Sequence, residues 1–322
     1  MTTTVTVMKS VDTVARTAVG LAAIGRPAYI NLGRTAALPA DRDVTALREH
    51  TFAVLDAAYA AGVRRVDVAR SYGRAEEFLA DWLADRRPTD VVVSSKWGYA
   101  YVGDWRLDAE VHEVKEHSLA RFRTQWEQTR ALLGDAVSLY QVHSLTPDSP
   151  LFDDPALLGA LAELAESGVR VGFSTSGPRQ AETVRRALGL RVRDRPVFTA
   201  VQSTWNLLEP SVGPALREAH EAGVLVQVKE TLANGRLAVE PPDALTEVAR
   251  RHGVGSDAVA LAAVYAQPWA DVVLVGPASV DQLRSNIAGA VLELDADELA
   301  ALDAVAWSPE RYWEQRSALE WR

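Results

Sequence analysis

Short runs of apolar, mostly β-branched residues recur along the chain and alternate with longer segments whose apolar positions follow a helical spacing. Eight of the short runs predict strands, at residues 18–21, 64–67, 91–95, 138–142, 169–173, 198–202, 224–228 and 272–275. The longer segments predict amphipathic helices, at residues 45–61, 118–133, 155–167, 178–188, 211–222 and 279–290. Strands that alternate with helix-length segments indicate βαβ units and therefore a parallel sheet.

Glycines mark the ends of several predicted helices. Each follows an apolar periodic segment and precedes a strand, where a helix C-cap belongs: Gly62, Gly134, Gly168 and Gly223. Eight strand–helix units without a linker or a composition shift fit one (β/α)8 TIM barrel better than two domains. We therefore predict a single α/β domain over residues 1–322. A doubly wound sheet is the alternative, but no G-x-G-x-x-G motif follows a strand, so its usual dinucleotide-binding signature is missing.

Composition limits the classes of partner and chemistry. The 322 residues are 48% hydrophobic and 24% charged, as in an ordinary globular protein, and the formal net charge of −9 argues against nucleic acid or an anionic membrane as partner. The absence of cysteine excludes disulfides, cysteine-ligated metals and thiol catalysis. No run approaches the roughly 18 apolar residues of a membrane span, and the N-terminus does not resemble a signal peptide. We therefore predict a soluble, cytoplasmic monomer or small homo-oligomer.

Four polar side chains capable of proton chemistry follow three of the predicted strands. The segments RVDVARSYG (65–73), VVVSSKWG (91–98) and LYQVHS (139–144) each begin as an apolar strand. They end in the candidate site residues Asp67, Tyr72, Lys96 and His143. Because the C-terminal ends of barrel strands converge on one face, we expect these side chains to meet there. Such a group is suited to moving a proton on and off an oxygen.

Each of these residues, taken alone, also has a structural explanation. An aspartate at a strand end is usually a turn or cap residue, and a buried tyrosine usually serves packing. A single lysine more often extends along the surface to keep its charge in water, and a single histidine is more often a hydrogen-bonded core residue. What favours a shared catalytic role is that all four follow neighbouring strands of one predicted barrel.

The same segments resemble a known family. VDVARSYGRAEEFLADWL resembles the D-T-A-x-x-Y-G-x-S-E-x-x-L-G segment of the aldo-keto reductases, and SSKWG and QVHS resemble its strand-ending lysine and histidine. Four later segments follow in the family's order: GFSTS, AVQSTWNLLE, VKETLANGRL and VGPASVDQLRSN. The resemblance covers about residues 18 to 290. It implies a TIM barrel with an N-terminal β-hairpin and a C-terminal tail, and an NAD(P)(H)-dependent oxidoreductase acting on aldehydes or ketones.

The chemistry of the four residues agrees with that resemblance. Hydride reduction of a carbonyl forms an alkoxide, which a tyrosine hydroxyl can protonate, although its ordinary pKa near ~10 makes it a slow acid. We expect Tyr72 to act as general acid–base and Lys96 to lower its pKa. Asp67 would hold the lysine and offset the cost of burying it. His143 would orient the substrate oxygen.

The resemblance also assigns residues to the cofactor. Ser174 and Gln202 stand where the family binds the nicotinamide carboxamide, and Thr175 replaces the usual asparagine, keeping an acceptor without the amide fork. Lys229 or Val228 stands where relatives often place a tyrosine that stacks on the nicotinamide, and Lys229 is the predicted contact. The remaining predicted contacts are Leu232, Gly235, Gly276, Ser279, Gln282 and Asn286, the last four in a segment that resembles the family's phosphate- and adenine-binding loop.

The choice between the two cofactors depends on position 278. Many relatives have a lysine or arginine near this position to hold the 2′-phosphate of NADP, whereas this chain has Ala278. NADP(H) is favoured on the resemblance and NAD(H) is possible, with Arg284 as a substitute cation.

Aromatic side chains near the expected pocket mouth suggest a small-molecule carbonyl or sugar as substrate. The predicted pocket residues are Trp97, Tyr99, Trp105, Trp205 and Trp313, the last in the C-terminal tail. Two other functions stay open: a cofactor-binding sensor or interaction subunit with little turnover, and an isomerase or lyase on the same barrel, since a fold does not fix a function.

One further motif suggests a metal site only superficially. In HEVKEH the two histidines, His112 and His117, are five residues apart, whereas H-E-x-x-H needs a spacing of four to place both on one helical face. We interpret the segment as a solvated loop or helix and expect no metal.

Overall fold

The computed structural model describes residues 13–322. The N-terminal β-hairpin predicted ahead of the first strand falls at the N-terminus, whose residues 1–12 lie outside the described part of the chain.

Eight parallel strands close into a barrel in which each strand pairs with its sequence neighbours and the first pairs with the last. They are β1 (Thr17–Gly20), β2 (Arg65–Asp67), β3 (Val92–Trp97), β4 (Val137–Leu145), β5 (Arg170–Thr175), β6 (Ala200–Thr204), β7 (Leu225–Lys229) and β8 (Val272–Val275). All eight coincide with predicted apolar runs, so the TIM barrel is confirmed and the doubly wound sheet is excluded. The strands are buried on both faces, as parallel strands covered by helices must be.

Helices cover the barrel and follow its strands. The structure gives α1 (Arg34–Ala37), α2 (Val44–Ala60), α3 (Ala75–Arg86), α4 (Leu119–Leu133), α5 (Pro155–Glu166), α6 (Gln180–Leu188), α7 (Gly213–Glu221), α8 (Arg236–Val239), α9 (Asp243–His252), α10 (Ser256–Tyr265), α11 (Val280–Gly289), α12 (Ala296–Asp303) and α13 (Pro309–Ser317). Side-chain caps fix several starts: Asp43 accepts a hydrogen bond from Ala46 N, and Ser118 accepts one from Arg121 N. Gly62, with a φ of 95°, adopts the left-handed conformation expected after α2.

Three segments close over the C-terminal end of the barrel. One is an antiparallel hairpin whose strands are Tyr99–Tyr101 and Glu113–Lys115. The second is the loop after β1, and the third is the end of the chain. The last two are joined by backbone hydrogen bonds between Tyr29 and Arg322, with N···O distances of 3.0 and 3.3 Å. A second small hairpin, Arg191–Val192 with Arg195–Pro196, lies outside the barrel.

None of the helices within residues 13–322 is both long enough and apolar enough to cross a membrane.

Candidate active site

A buried ion pair forms the base of the site. Lys96 Nζ donates to Asp67 Oδ1, and the two side chains are only 1% and 3% exposed. Lys96 Nζ also donates to Val68 O at 3.1 Å, while Asp67 Oδ2 accepts from Ser94 Oγ at 2.8 Å and Gln202 Nε2 at 3.0 Å. Asp67 is the last residue of β2 and Lys96 lies at the end of β3, so the barrel places them side by side. Their charges offset each other away from water.

Tyr72 reaches the ion pair from the loop between β2 and α3. The loop can approach the chain after β1 because two glycines meet there: a Cβ on Gly25 would lie 2.5 Å from Tyr72 O, and one on Gly73 would lie 2.5 Å from Gly25 O. Lys96 Nζ lies 5.0 Å from the centroid of the Tyr72 ring. The tyrosine is thereby held against the lysine, as the sequence analysis expects.

His143 completes the group from the end of β4. Its ring meets the Tyr72 ring edge-on, with the centroids 5.5 Å apart, and it lies 5.0 Å from the ring of Tyr99. Ser71 Oγ lies 3.4 Å from His143 Nδ1. Burial, with the cations of Lys96 and Lys229, holds the pKa of His143 well below its usual range. The ring is therefore neutral at physiological pH.

The pKa of Tyr72 moves in the direction opposite to our expectation. Burial and then the Asp67 carboxylate raise the pKa of the phenol well above its ordinary value, and Arg26 opposes them. The expected lowering by Lys96 fails because Asp67 offsets the lysine charge at close range. Tyr72 is consequently a protonated hydroxyl at neutral pH.

The histidines of HEVKEH are not solvated, contrary to the sequence interpretation. His112 and His117 are both buried, on either side of the strand Glu113–Lys115. His117 Nε2 lies 2.8 Å from His143 O, and because a carbonyl only accepts, Nε2 carries the proton. His117 Nδ1 then accepts from Ser149 Oγ at 2.8 Å. His117 therefore holds the end of β4, which carries His143, in place. No group of metal-binding side chains occurs among the described residues.

A cavity of about 440 Å³ opens beside these residues. At one end its wall includes Asp67, Tyr72 and His143, with Lys96 directly behind Asp67. At the other end it includes Gly276 and Gln282, where α11 begins. Its size falls in the range of small-molecule sites. Asp67, Tyr72 and His143 therefore share one cavity, and Lys96 contacts it through Asp67.

Most of the predicted cofactor residues line the same cavity. These are Gln202, Lys229, Leu232, Gly235, Gly276, Gln282 and Asn286. Three other predicted cofactor residues, Ser174, Thr175 and Ser279, are not among the described residues that form the cavity wall. Ser174 Oγ accepts a hydrogen bond from Ser144 N at 2.8 Å, and Thr175 Oγ1 donates to Gln180 Oε1 at 2.9 Å. Ser279 is the N-cap of α11 and accepts from Gln282 N at 3.2 Å. Ser144 and Ser176 line the cavity beside β5 instead.

A cluster of charges replaces the aromatic ring that relatives often have after the seventh strand. Lys229 Nζ donates to Thr204 Oγ1 at 2.9 Å and lies 3.6 Å from Glu230 Oε1. Arg316, from α13, holds Glu230 through Nε and Nη2, at 3.1 and 2.7 Å from Oε1. Burial lowers the pKa of Lys229 to about 8. Burial would raise the pKa of Glu230, but Arg316 and then Lys229 bring it down to about 2.

Among the described residues that line the cavity, Tyr99 is the only predicted pocket aromatic. Trp97 and Trp205 are buried in the main hydrophobic core, and Trp313 packs in a second apolar cluster near the end of the chain. The indole N–H of Trp105 donates to a backbone carbonyl. The structure does not place these four tryptophans in the pocket wall, contrary to the prediction.

Several cavity residues were missed because they lie in loops, and the one motif among them, HEVKEH with Glu113, was interpreted as a solvated segment. Arg26 and Tyr29 lie in the loop after β1, Glu113 in the hairpin, and Trp321 near the end of the chain. A sequence signal existed for Arg26, which is a charged residue within the apolar segment AAIGRPAYI. A charge flanked by apolar residues just after a barrel strand is a reason to expect a buried role.

The far end of the cavity has features that suit a phosphate group. A Cβ at Gly276 would meet no atom within 4 Å, so the cavity wall is open there. The start of α11, a ten-residue helix, lies at this end, and free backbone N–H groups at a helix start suit a phosphate. Asn286 is buried with its amide directed to Asp257, and both residues line the wall. No arginine or lysine lines this end within residues 13–322.

Comparisons with known proteins agree with the geometry. The model of the Aldo/keto reductase family matches residues 37–306. Protein tas of Escherichia coli (strain K12) is 27% identical over 315 residues, covering 79% of this chain and 88% of that protein. Aldo-keto reductase str7 of Strobilurus tenacellus is 25% identical over 294 residues, covering 80% and 81%. A crystal structure from Pseudomonas aeruginosa, provisionally described as an aldo-keto reductase, has the same fold, with a TM-score of 0.62 at 22% identity over 86% of this chain and 90% of that one.

Proposed function

The chain belongs to the aldo-keto reductase family, and we propose that it is an NAD(P)H-dependent enzyme that interconverts a small-molecule carbonyl group and the corresponding alcohol. One observation carries the proposal. Tyr72 lies against the buried Asp67–Lys96 pair and against a neutral His143, and the hydroxyl-bearing side chain lines a cavity large enough for a substrate. This is the arrangement needed to protonate an oxygen as it gains negative charge.

The nicotinamide cofactor, when bound, supplies the hydride in reduction and accepts it in oxidation. The protein's part is to handle the proton. Tyr72, whose pKa is raised by burial, is protonated at neutral pH and donates its O–H proton to the developing alkoxide. Lys96 then stabilises the phenolate that remains, because its ammonium lies 5.0 Å from the ring centroid. In the reverse direction Tyr72 accepts the alcohol proton only after it has released its own, because its raised pKa keeps the hydroxyl protonated at neutral pH.

His143 orients the carbonyl. Its neutral ring can accept from Ser71 Oγ at Nδ1, which leaves a proton on Nε2 to donate to the substrate oxygen. A cationic His143 would compete with Lys96 for the negative charge of the Tyr72 phenolate. Burial, together with the cations of Lys96, Lys229 and Arg26, keeps the His143 ring neutral. His117 fixes the strand end that carries the ring, through its hydrogen bond to His143 O.

The cofactor would be held along the cavity wall formed by β5–β8 and the start of α11. Gln202 connects the two halves of the site, since its amide nitrogen donates to both Asp67 Oδ2 and Gln227 Oε1. Gly276 and the start of α11 would receive the phosphates, and Gln282 and Asn286 the adenosine. Lys229 stands in place of an aromatic ring, so ring stacking on the nicotinamide is absent from this proposal.

NADP(H) stays our preferred cofactor on family grounds, with weak discrimination against NAD(H). Ala278 is 1% exposed and points into the core, so neither it nor its neighbours offers a cation to a 2′-phosphate. Arg284 is exposed and paired with Asp281, and it does not line the cavity. We therefore expect the two dissociation constants to differ less than in relatives that have a basic residue at this end.

Two measurements test the proposal. Calorimetry should show binding of NADPH or NADH, and nicotinamide absorbance should fall when aldehydes, ketones or sugars are added with either cofactor. No binding at millimolar cofactor would contradict the enzyme proposal outright. Binding without turnover of any carbonyl, in either direction, would favour the alternative of a cofactor-binding sensor or interaction subunit. The complete set of four site residues argues against that alternative.

A further inference from the structure

An ion pair between a buried arginine and a partly exposed glutamate stands at the catalytic end of the cavity and has no part in the proton transfer proposed above. Arg26, in the loop after β1, is 1% exposed, and its Nη1 lies 2.6 Å from Glu113 Oε1. Arg26 Nη1 also donates to Ser71 O at 2.8 Å, directly beside Tyr72. Both members of the pair line the cavity. The pair therefore lies next to the proposed proton donor and faces the space where a substrate binds.

The guanidinium of Arg26 is held by rings that leave part of its hydrogen-bonding capacity unused. Its Cζ lies 4.7 Å from the ring centroid of Tyr29, 4.8 Å from that of Trp321 and 5.3 Å from that of Tyr72. Aromatic faces attract a cation but do not replace a hydrogen-bond acceptor. Arg26 Nε has no hydrogen-bond partner among the described residues although it is buried. A buried guanidinium with an unmet donor is costly unless a ligand oxygen offsets the cost.

The charges around the pair decide what kind of oxygen fits. Arg26 and Glu113 offset each other, and the pair as a unit carries no net charge. A ligand carboxylate would have to compete with Glu113 for the guanidinium, and Glu113 would repel it. A ligand hydroxyl can use both partners at once, because it accepts from a guanidinium N–H and donates to a carboxylate oxygen. Tyr29 and Trp321 line the cavity beside the pair.

We propose that the Arg26–Glu113 pair binds a hydroxyl group on a carbon next to the reacting carbonyl, so that the enzyme prefers hydroxylated, sugar-type aldehydes or ketones to unsubstituted ones. This inference rests on the proposed function, since Tyr72 must hold the carbonyl oxygen for the neighbouring carbon to reach Arg26. Arg26 Cζ lies 5.3 Å from the Tyr72 ring centroid and both side chains line the cavity, so the two groups are neighbours at its catalytic end. Arg26 and Glu113 would then determine specificity without moving a proton.

The test compares glyceraldehyde with propionaldehyde, which differ in their hydroxyl groups on the same carbon skeleton. We expect kcat/KM to be at least tenfold higher for glyceraldehyde. Arg26→Lys keeps the positive charge but loses the planar fork of donors, and it should lower the ratio of the two kcat/KM values by about 10- to 100-fold, the worth of one hydrogen bond to a charged group. Glu113→Gln keeps the shape and removes the charged acceptor, so it should lower the same ratio.

Arg42→Lys is the matched control. Arg42 Nη1 donates to Pro27 O at 3.2 Å in the same part of the chain, but Arg42 does not line the cavity. Its substitution should leave both kcat/KM values unchanged. If Arg26→Lys does not fold, Glu113→Gln decides, because Glu113 is partly exposed on the hairpin.

Three results would overturn the inference. One is a glyceraldehyde-to-propionaldehyde ratio near one in the unsubstituted enzyme. Another is an equal loss of both activities in Arg26→Lys. The third is faster turnover of glyoxylate than of glyceraldehyde that Arg26→Lys abolishes, which would identify an anionic substrate. Each leaves the proposed function in place, whereas failure of the proposed function would appear as no turnover of any of these aldehydes.

Discussion

Lys96 and Asp67 form an ion pair between adjacent barrel strands, and both side chains are almost completely removed from water. The pair joins the chemistry of the site to the stability of the barrel. A buried charge is tolerated only with its partner, and removal of one member leaves the other uncompensated. Ser94 and Gln202 hold the second oxygen of Asp67 but bring no charge to offset it.

Lys96→Met should therefore lower both activity and stability. We expect the free energy of unfolding to fall by about 3–5 kcal/mol, the usual cost of breaking a buried ion pair, and turnover to fall because the phenolate of Tyr72 loses its cation. Urea denaturation followed by circular dichroism measures the first effect. The double variant Asp67→Asn/Lys96→Met should recover part of the stability, since no charge remains unpaired.

The control for this prediction is Lys115→Met, on the strand Glu113–Lys115, where the lysine side chain is exposed. It should change the free energy of unfolding by less than about 0.5 kcal/mol, as surface substitutions usually do. Equal stability of Lys96→Met and Lys115→Met would mean that the Asp67–Lys96 pair does not contribute in the way described.

His117 should make the protein sensitive to mild acid. Burial, followed by the charge of Lys115, lowers the pKa of His117 from 6.5 to about 4. Between these pH values the unfolded chain binds a proton that the folded protein does not, so the free energy of unfolding decreases as the pH falls, by up to about 3 kcal/mol. Urea titrations at a series of pH values measure the slope. His117→Asn should give a shallower slope than the unsubstituted protein between pH 6.5 and 4, and identical slopes would refute the role of His117.

A cation at the α11 end of the cavity should shift the cofactor preference. Gly276→Arg would place its side chain in open space on the cavity wall, and we expect it to tighten NADPH relative to NADH by about tenfold through one added contact to a charged group. Ala278→Arg, at a core position, should destabilise the protein instead. Calorimetry with both cofactors measures the ratio of dissociation constants. Gly276→Ala, which adds a side chain without charge, is the control, and a ratio unchanged in Gly276→Arg would contradict the assigned phosphate end.

The barrel, and the meeting of Asp67, Lys96 and His143 at one end of it, could be predicted from sequence because local pattern fixes the strand ends. A parallel strand such as β6 is buried on both faces, so it appears as a continuous apolar run. Asp67, Lys96 and His143 interrupt such runs at their C-terminal ends, and a closed barrel brings those ends together whatever the loops do.

Residues placed by side-chain direction or by loops could not be predicted in this way. Ser174 lies on β5 as expected, but its hydroxyl is turned to Ser144 N, which no spacing reveals. Trp205 follows β6, yet its ring turns into the core because packing an indole there removes more apolar surface from water. Arg26 and Glu113 meet only because two loops distant in sequence fold over the same barrel end.

The most direct test of the proposed mechanism is the turnover of Tyr72→Phe. The substitution keeps the ring, and with it the packing against His143, and removes only the hydroxyl. We expect the rate of carbonyl reduction to fall by about 10²- to 10⁴-fold, the usual worth of positioned acid–base catalysis, while the dissociation constant of the cofactor changes little. Near-normal turnover in a folded Tyr72→Phe protein would show that Tyr72 is not the proton donor.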